Sequence, residues 1–117
     1  MTKIQDLTEH EKETICLNAQ RICLKYPNYY PIYCHSDHFT LSKNKYLVSG
    51  TMPFAQFIYV VRKKLKLEPH EAVFFLIGNE LMPKTSDTIA FLFENYSNKE
   101  LGCLYVQILK ENTFGSS

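Results

Sequence analysis

Residues 52–67 constrain the fold more than any other stretch. Phe57, Val60, Val61 and Leu65 recur at helical spacing, and the basic residues fall mainly between them. That pattern predicts a helix with one apolar face, stopped by Glu68-Pro69. Such a face must be covered by another layer, and the flanking segments supply strands. Residues 29–34 are rich in strand formers, and Tyr46-Leu47-Val48 is a shorter strand closed by Ser49-Gly50. The polar stretch 35–45 joins them, as in an antiparallel hairpin with a long loop. Pro31 has no amide donor, which places it at a strand start or an edge. Beyond the helix, residues 72–77 form a near-continuous apolar run, expected for a buried strand. Gly78-Asn79-Glu80 has turn chemistry. Residues 87–95 read as a short helix capped by Ser86 or Asp87, and residues 103–109 as a last strand.

Upstream, residues 3–25 read as helical, with Leu7, Ile15, Ile22 and Leu24 as the apolar positions. Thr8 followed by Glu11 fits a capping box, so a short first helix is expected to give way to a second there. Pro27 ends the helical region by disfavouring helical geometry at Tyr26. The first and last strands are expected to pair in parallel at the centre of the sheet, because a long helical crossover separates them. The expected organisation is a helical extension over residues 1–25, an α+β core over 26–110 and a tail over 111–117.

At 117 residues the chain has room for one core. Its 45% hydrophobic and 21% charged residues are ordinary globular values. A net charge of +1 argues against nucleic acid as a partner. The charge is nevertheless uneven. From His38 to Leu67 the sequence holds Lys43, Lys45, Arg62, Lys63, Lys64 and Lys66 with no acid, so a local basic surface is expected. No stretch approaches the ~20 apolar residues of a membrane span. Cys16, Cys23, Cys34 and Cys103 form no CxxC pair, and no signal-like apolar run opens the chain. All four are expected to be reduced and mostly buried.

Catalytic and cofactor chemistry find little support. Cys34, His35, Asp37 and His38 make one loose cluster, whereas zinc usually takes ligands as two spaced pairs. Cys34 and His35 are neighbours in a strand, so their side chains diverge and cannot form a nucleophile–base pair. The scattered glycines make no phosphate loop, and neither an enzyme nor a cofactor is expected. Two features point instead to recognition. Tyr46-Leu47-Val48, preceded by Lys43 and Lys45, would accept a guest strand if it lies at a sheet edge. The chain closes on ENTFGSS, whose lone Phe114 and Gly115 suit a segment that another protein grips and cuts. Glycine, lacking Cβ, fits a narrow enzyme channel.

Residues 45–67, KYLVSGTMPFAQFIYVVRKKLKL, resemble the signature of the autophagy ubiquitin-like modifiers of the GABARAP type. KYP at 25–27, PIY at 31–33, AVFFLIGNELMPKTSDTI at 72–89, LYV at 104–106 and ENTFG at 111–115 follow in the family's order. The resemblance spans residues 21–115. It implies a ubiquitin-like β-grasp fold, with two N-terminal helices packed on a four-stranded mixed sheet. It also implies a life history. A cysteine protease cuts after Gly115, gripping Phe114 and releasing Ser116 and Ser117. Activating and conjugating enzymes then join Gly115 to phosphatidylethanolamine, which brings the chain from the cytoplasm to autophagosomal membranes.

The same resemblance implies a surface for short motifs, an aromatic residue followed three positions later by a branched aliphatic, carried by cargo receptors and adaptors. One pocket would use Ile22, Pro31, Lys45 and Leu47, the other Tyr46, Val48, Met52, Phe57 and Val60. Lys43 or Lys45 would attract acidic flanks. Arg62 is a family-typical position, with a helix salt bridge as its plainer role. The chain departs from the family at Thr40-Leu41-Ser42, a shortened loop, and at Leu76 and Tyr29. It also departs at Cys103, which replaces a bulky aromatic behind the first pocket. The alternative is an unconjugated ubiquitin-like adaptor in vesicle trafficking.

Overall fold

The computed structural model describes residues 7–78 and 81–110. The element order is α1 (Glu9–Lys25), β1 (Tyr29–His35), β2 (Lys45–Ser49), α2 (Phe54–Leu65), β3 (Val73–Ile77), α3 (Ile89–Tyr96) and β4 (Leu104–Lys110). The strands form one sheet in the order β2-β1-β4-β3. β1 and β4 are parallel and central, while β1–β2 and β3–β4 are antiparallel. This is the mixed sheet of the expected α+β fold.

Among the described residues there is one N-terminal helix, not two. Its start is the capping box: the Glu11 amide donates to Thr8 Oγ1 (3.0 Å) and the Thr8 amide to Glu11 Oε1 (2.8 Å). These bonds satisfy amides that the first turn leaves free. A shorter helix before it would fall largely on residues 1–6, outside the described residues. Ile15 and Ala19, one turn apart, are the buried positions of α1. Leu24, expected on the apolar face, is 86% exposed.

α2 is two residues shorter at each end than its sequence pattern suggests. Pro53 offers no capping side chain. The amides of Phe54 and Ala55 donate instead to the carbonyls of Asp87 and Thr85, which ties the helix start to the lead-in of α3. At the other end Lys66 adopts a left-handed conformation (φ 57°). The Leu67 amide returns to Arg62 O and the Lys66 amide to Lys63 O, closing the last turn. The cap of α3 is Thr88 rather than Ser86 or Asp87, its hydroxyl accepting from the Phe91 amide at 3.2 Å.

Two apolar layers sandwich the sheet. Ile32, Cys34, Tyr46, Phe75, Ile77, Leu104, Val106 and Ile108 face α2 and α3, meeting Phe54, Phe57, Val61, Ile89 and Leu92. On the opposite face Ile15 and Ala19 of α1 pack with Leu101, Cys103 and Tyr105. β4, covered on both faces, is the buried strand, with residues 104–108 all inaccessible. β3 is not the fully buried strand its apolar run suggests. It lies at the sheet edge, with Phe75 and Ile77 turned inward and Phe74 40% exposed. An edge strand covered on one face alternates, whatever its composition.

Candidate peptide-docking site

Among the described residues β2 pairs with β1 alone and is the other edge of the sheet. Its register pairs Ile32 with Tyr46 and Pro31 with Leu47. The ladder is flanked by Cys34 N–H donating to Asn44 O (2.7 Å) and Gly50 N–H donating to Asn28 O (3.1 Å). Hydrogen-bonded pairs alternate with open ones in an antiparallel ladder. Counting inward from both flanking bonds, Tyr46 and Val48 spend their backbone groups on β1. Lys45, Leu47 and Ser49 therefore turn theirs to the open edge. Pro31 sits at a non-bonded pair and just before the β1–β4 pairing begins at Ile32, so its missing amide costs no ladder bond.

The side chains of β2 divide between the two faces. Lys45 and Leu47 turn toward α1, where a cavity of about 220 Å³ opens between α1 and the sheet. Ile22, Pro31, Lys45 and Leu47 all line it, with Lys43 beside them. Its lining also includes Ile15, Asn18 and Ala19 of α1, with Cys103. The sequence pattern puts Ile15 on the apolar face of the helix but not in the pocket, and it passes over Asn18 and Ala19, although Ile15, Ala19 and Ile22 at i, i+4 and i+7 carry the helical signal that marks a shared face. Gly102 turns with φ +69°, and a Cβ there would lie 3.6 Å from Ala19 Cβ. That is an ordinary contact distance, so the positive φ is what calls for glycine here, and the turn leads Cys103 under the helix.

Tyr46 and Val48 turn toward α2. Val48, Met52 and Val60 are partly buried against the main core. Phe57 is different: it is 0% exposed and packs edge-on to Tyr46 at 5.4 Å between ring centroids. Phe57 and Tyr46 thus form the floor under this side of β2 rather than its surface. Lys43 Nζ stands 4.8 Å above the Tyr46 ring, holding a cation at the β2 edge. Burial, and then Cys34, pushes the Tyr46 phenol above its ordinary pKa.

The other candidate residues are not brought together. His35 Nε2 meets Asp37 Oδ1 at 3.1 Å, while His38 Nδ1 accepts the Lys110 amide at 3.0 Å. Among the described residues no group of three such side chains could hold a metal. Burial, followed by the neighbouring Cys16, pushes the Cys103 thiol up to about 12, and burial raises Cys34 further still. Both stay protonated near neutrality, which removes their nucleophilic form. No cysteine is paired, but they are not mostly buried: Cys23 is exposed and Cys16 half-buried. Among the described residues Arg62 makes no salt bridge. Its guanidinium donates to the carbonyls of Glu68 (3.1 Å) and Glu71 (2.9 Å), fastening the α2–β3 connection. Phe114, Gly115 and Ser116 lie outside the described residues.

The sequence profile of the family described as "Autophagy protein Atg8 ubiquitin like" matches residues 14–115. The chain is 38% identical over 111 residues to Autophagy-related protein 8 of Mycosarcoma maydis, covering 92% of each protein. It is 37% identical to the protein of the same name from Emericella nidulans, again over 92% of both. Among solved structures, Trypanosoma brucei ATG8 superposes with a TM-score of 0.77 at 28% identity, over 92% of this chain and 94% of that one. Plasmodium falciparum Atg8, solved in complex with a Plasmodium falciparum Atg3 peptide, gives 0.75 at 21% identity, over 92% and 95%.

Proposed function

The chain belongs to the Atg8 family of autophagy ubiquitin-like proteins, and from that premise we propose that it acts as a lipid-conjugated modifier that captures short linear motifs at its β2 edge. It is not an enzyme, and other enzymes' chemistry is performed on its tail. A cysteine protease removes Ser116 and Ser117, and activating and conjugating enzymes pass the Gly115 carboxylate to the amine of phosphatidylethanolamine. The two acyl chains of that lipid supply the two-chain anchoring that lasting membrane attachment needs. The chain then moves from the cytoplasm to autophagosomal membranes and recruits cargo receptors and adaptors there.

One observation carries the motif-binding half: the open β2 edge has a cavity on one face and the partly buried apolar side chains of Val48, Met52 and Val60 on the other. A guest strand adding to Lys45, Leu47 and Ser49 alternates its side chains between those faces. Residues three apart in the guest point to opposite faces, so an aromatic enters the cavity while the aliphatic three positions on meets Val48, Met52 and Val60. Lys43 and Lys45 stand where acidic flanks would lie. A peptide of the conjugating enzyme is proposed as one such guest; Plasmodium falciparum Atg8 was solved in complex with a Plasmodium falciparum Atg3 peptide.

Leu47→Ala combined with Lys45→Ala leaves the core intact and is expected to weaken motif peptides at least about tenfold, or 1.4 kcal/mol, by calorimetric titration. Unchanged affinity refutes the groove. For the tail, Gly115→Ala is expected to keep the protein out of the membrane fraction of starved cells. Normal membrane partitioning of that variant would favour the unconjugated adaptor.

A further inference from the structure

The basic residues of α2 and the root of the tail meet at one end of the molecule. Lys110, the last residue of β4, pairs with Val73, the first residue of β3. Two residues before Val73, the carbonyl of Glu71 accepts from Arg62 of α2 at 2.9 Å. The C-terminal turn of α2 therefore lies beside Lys110, the last described residue before the tail. Side-chain parity strengthens the link. Leu104, Val106 and Ile108 of β4 face α2, and Lys110, two residues further on, belongs to the same face. Its own backbone is fixed on the other side by the bond to His38 Nδ1.

Lys63, Lys64, Lys66 and Lys110 are all exposed at this end. Glu68, Glu71 and Glu111 are the nearby carboxylates in sequence, and Glu71 Oε1 is engaged by the Glu68 amide at 2.7 Å. Tyr59, 60% exposed, stands one turn before Lys63, whose ammonium lies 5.2 Å from its ring centre. Cations in the last turn of a helix complement its dipole, but that does not account for Lys110, which comes from a different element. Nor does it account for Lys66, which holds a left-handed conformation that glycine adopts without strain.

We infer that this cluster is a collar around the tail's exit that seats the protein on an anionic membrane surface, contacting lipid phosphates and carboxylates while Tyr59 reaches the headgroup level. The inference rests on the lipid linkage proposed above. A chain tethered by its terminus presents its exit end to the bilayer, and that end carries the positive charge. Basic residues close to an anionic leaflet are attracted to it, and an exposed aromatic suits the interface. The linkage anchors the protein, and the collar orients it, leaving the β2 edge clear for guests.

The sequence contains no tryptophan, so Tyr59→Trp supplies a single reporter. The full chain, with a hexahistidine in place of Ser116-Ser117, is attached to vesicles bearing nickel-chelating lipid. On vesicles with phosphatidylserine the indole emission is expected to shift to the blue and to be quenched by brominated acyl chains. On phosphatidylcholine alone neither change is expected. Lys63, Lys64 and Lys66 changed together to Gln should weaken the contact about fivefold per lysine, while the thermal melt shows the fold retained. Raised salt should have the same effect as these substitutions. Equal emission on both lipids, or a signal indifferent to the three lysines, overturns the inference and leaves the cluster to a protein partner. Because nickel replaces the natural linkage, that failure concerns the collar alone. An unmodified Gly115 in starved cells would instead sink the linkage.

Discussion

The two faces of the sheet are packed to different ends. Toward α2 and α3 the layer is closed: Phe57, Ile89, Leu92 and Val106 are wholly inaccessible, and Phe54, Phe57 and Phe75 interlock as ring pairs. Toward α1 only Ile15 and Ala19 of the helix are buried, and a cavity of about 220 Å³ remains beside them. The first layer has the aromatic content to hold the fold. The second is held by a smaller cluster and a cap, and its incompleteness gives a guest side chain somewhere to go. Stability is thus carried mainly by the α2 side of the strands and the deeper recognition cavity by the α1 side, with β2 belonging to both.

The sharpest test of this division is Phe57→Ala. It removes a ring with no exposure from the centre of the closed layer. Truncations of buried aromatics cost about 3–5 kcal/mol, and denaturant melts should show a loss of that size. The variant's remaining folded fraction should still take an aromatic side chain in the α1-side cavity, which Phe57 does not line. The aliphatic half of a motif, whose seat Phe57 floors, should be held more weakly. If binding disappears while stability barely moves, the division is wrong.

The mirror-image test is Cys103→Phe. Cys103 lines the cavity from below α1, so a ring there fills space a guest would use. Peptide affinity should fall about tenfold, or 1.4 kcal/mol, in calorimetry. The melt should shift less than for Phe57→Ala, because the added ring has a cavity to enter.

The closed layer is also what sequence reveals best. Phe57, Val61 and Leu65 announce α2 by spacing alone, and the hairpin and central parallel pair follow from strand formers and connection lengths. Burial that depends on neighbours is less legible. Residues 72–77 are an unbroken apolar run and 104–108 carry the polar Gln107, yet β3 lies at an edge and β4 at the buried centre. Strand order decides this, and composition does not record it. The start of α1 was legible at Thr8, where a capping box marks it. At α3 the capping hydroxyl is Thr88, just past the expected Ser86 or Asp87, because three polar residues in a row can each cap. The start of α2 was illegible because distant carbonyls of Thr85 and Asp87 take that role. On the α1 side, Ile22, Pro31, Lys45 and Leu47 were named through resemblance. The cavity's helical wall was missed because Ala19, a small residue, carries little hydrophobic signal while Leu24 carries much and is exposed.

The open layer depends on α1 being in place, and Thr8 is where that dependence is easiest to probe. Thr8→Ala removes the hydroxyl that accepts from Glu11. Loss of an N-cap costs about 1 kcal/mol, a shift the melt should resolve. Amide exchange should rise first in the opening turns of α1, while β4 and α2 keep their protection. Uniform acceleration across both layers would mean that α1 is part of the main cooperative unit and that the two faces are not separable.

The smallest expected effect lies at the far end of the closed layer. Lys66 holds φ 57° without being glycine, which costs about 1–2 kcal/mol for an L side chain. Lys66→Gly relieves that strain but gives the unfolded chain more freedom, worth about 0.4–1 kcal/mol in the opposite direction. The balance is a stabilisation of about 0.5–1 kcal/mol, with the turn bonds from Leu67 to Arg62 and from Lys66 to Lys63 preserved. A melt that rises while contact with anionic vesicles weakens would show that the strained conformation is retained for the charge it displays. A melt that falls would mean that the lysine stem packs at this turn strongly enough to outweigh its backbone, and that even the rim of the closed layer is built for stability.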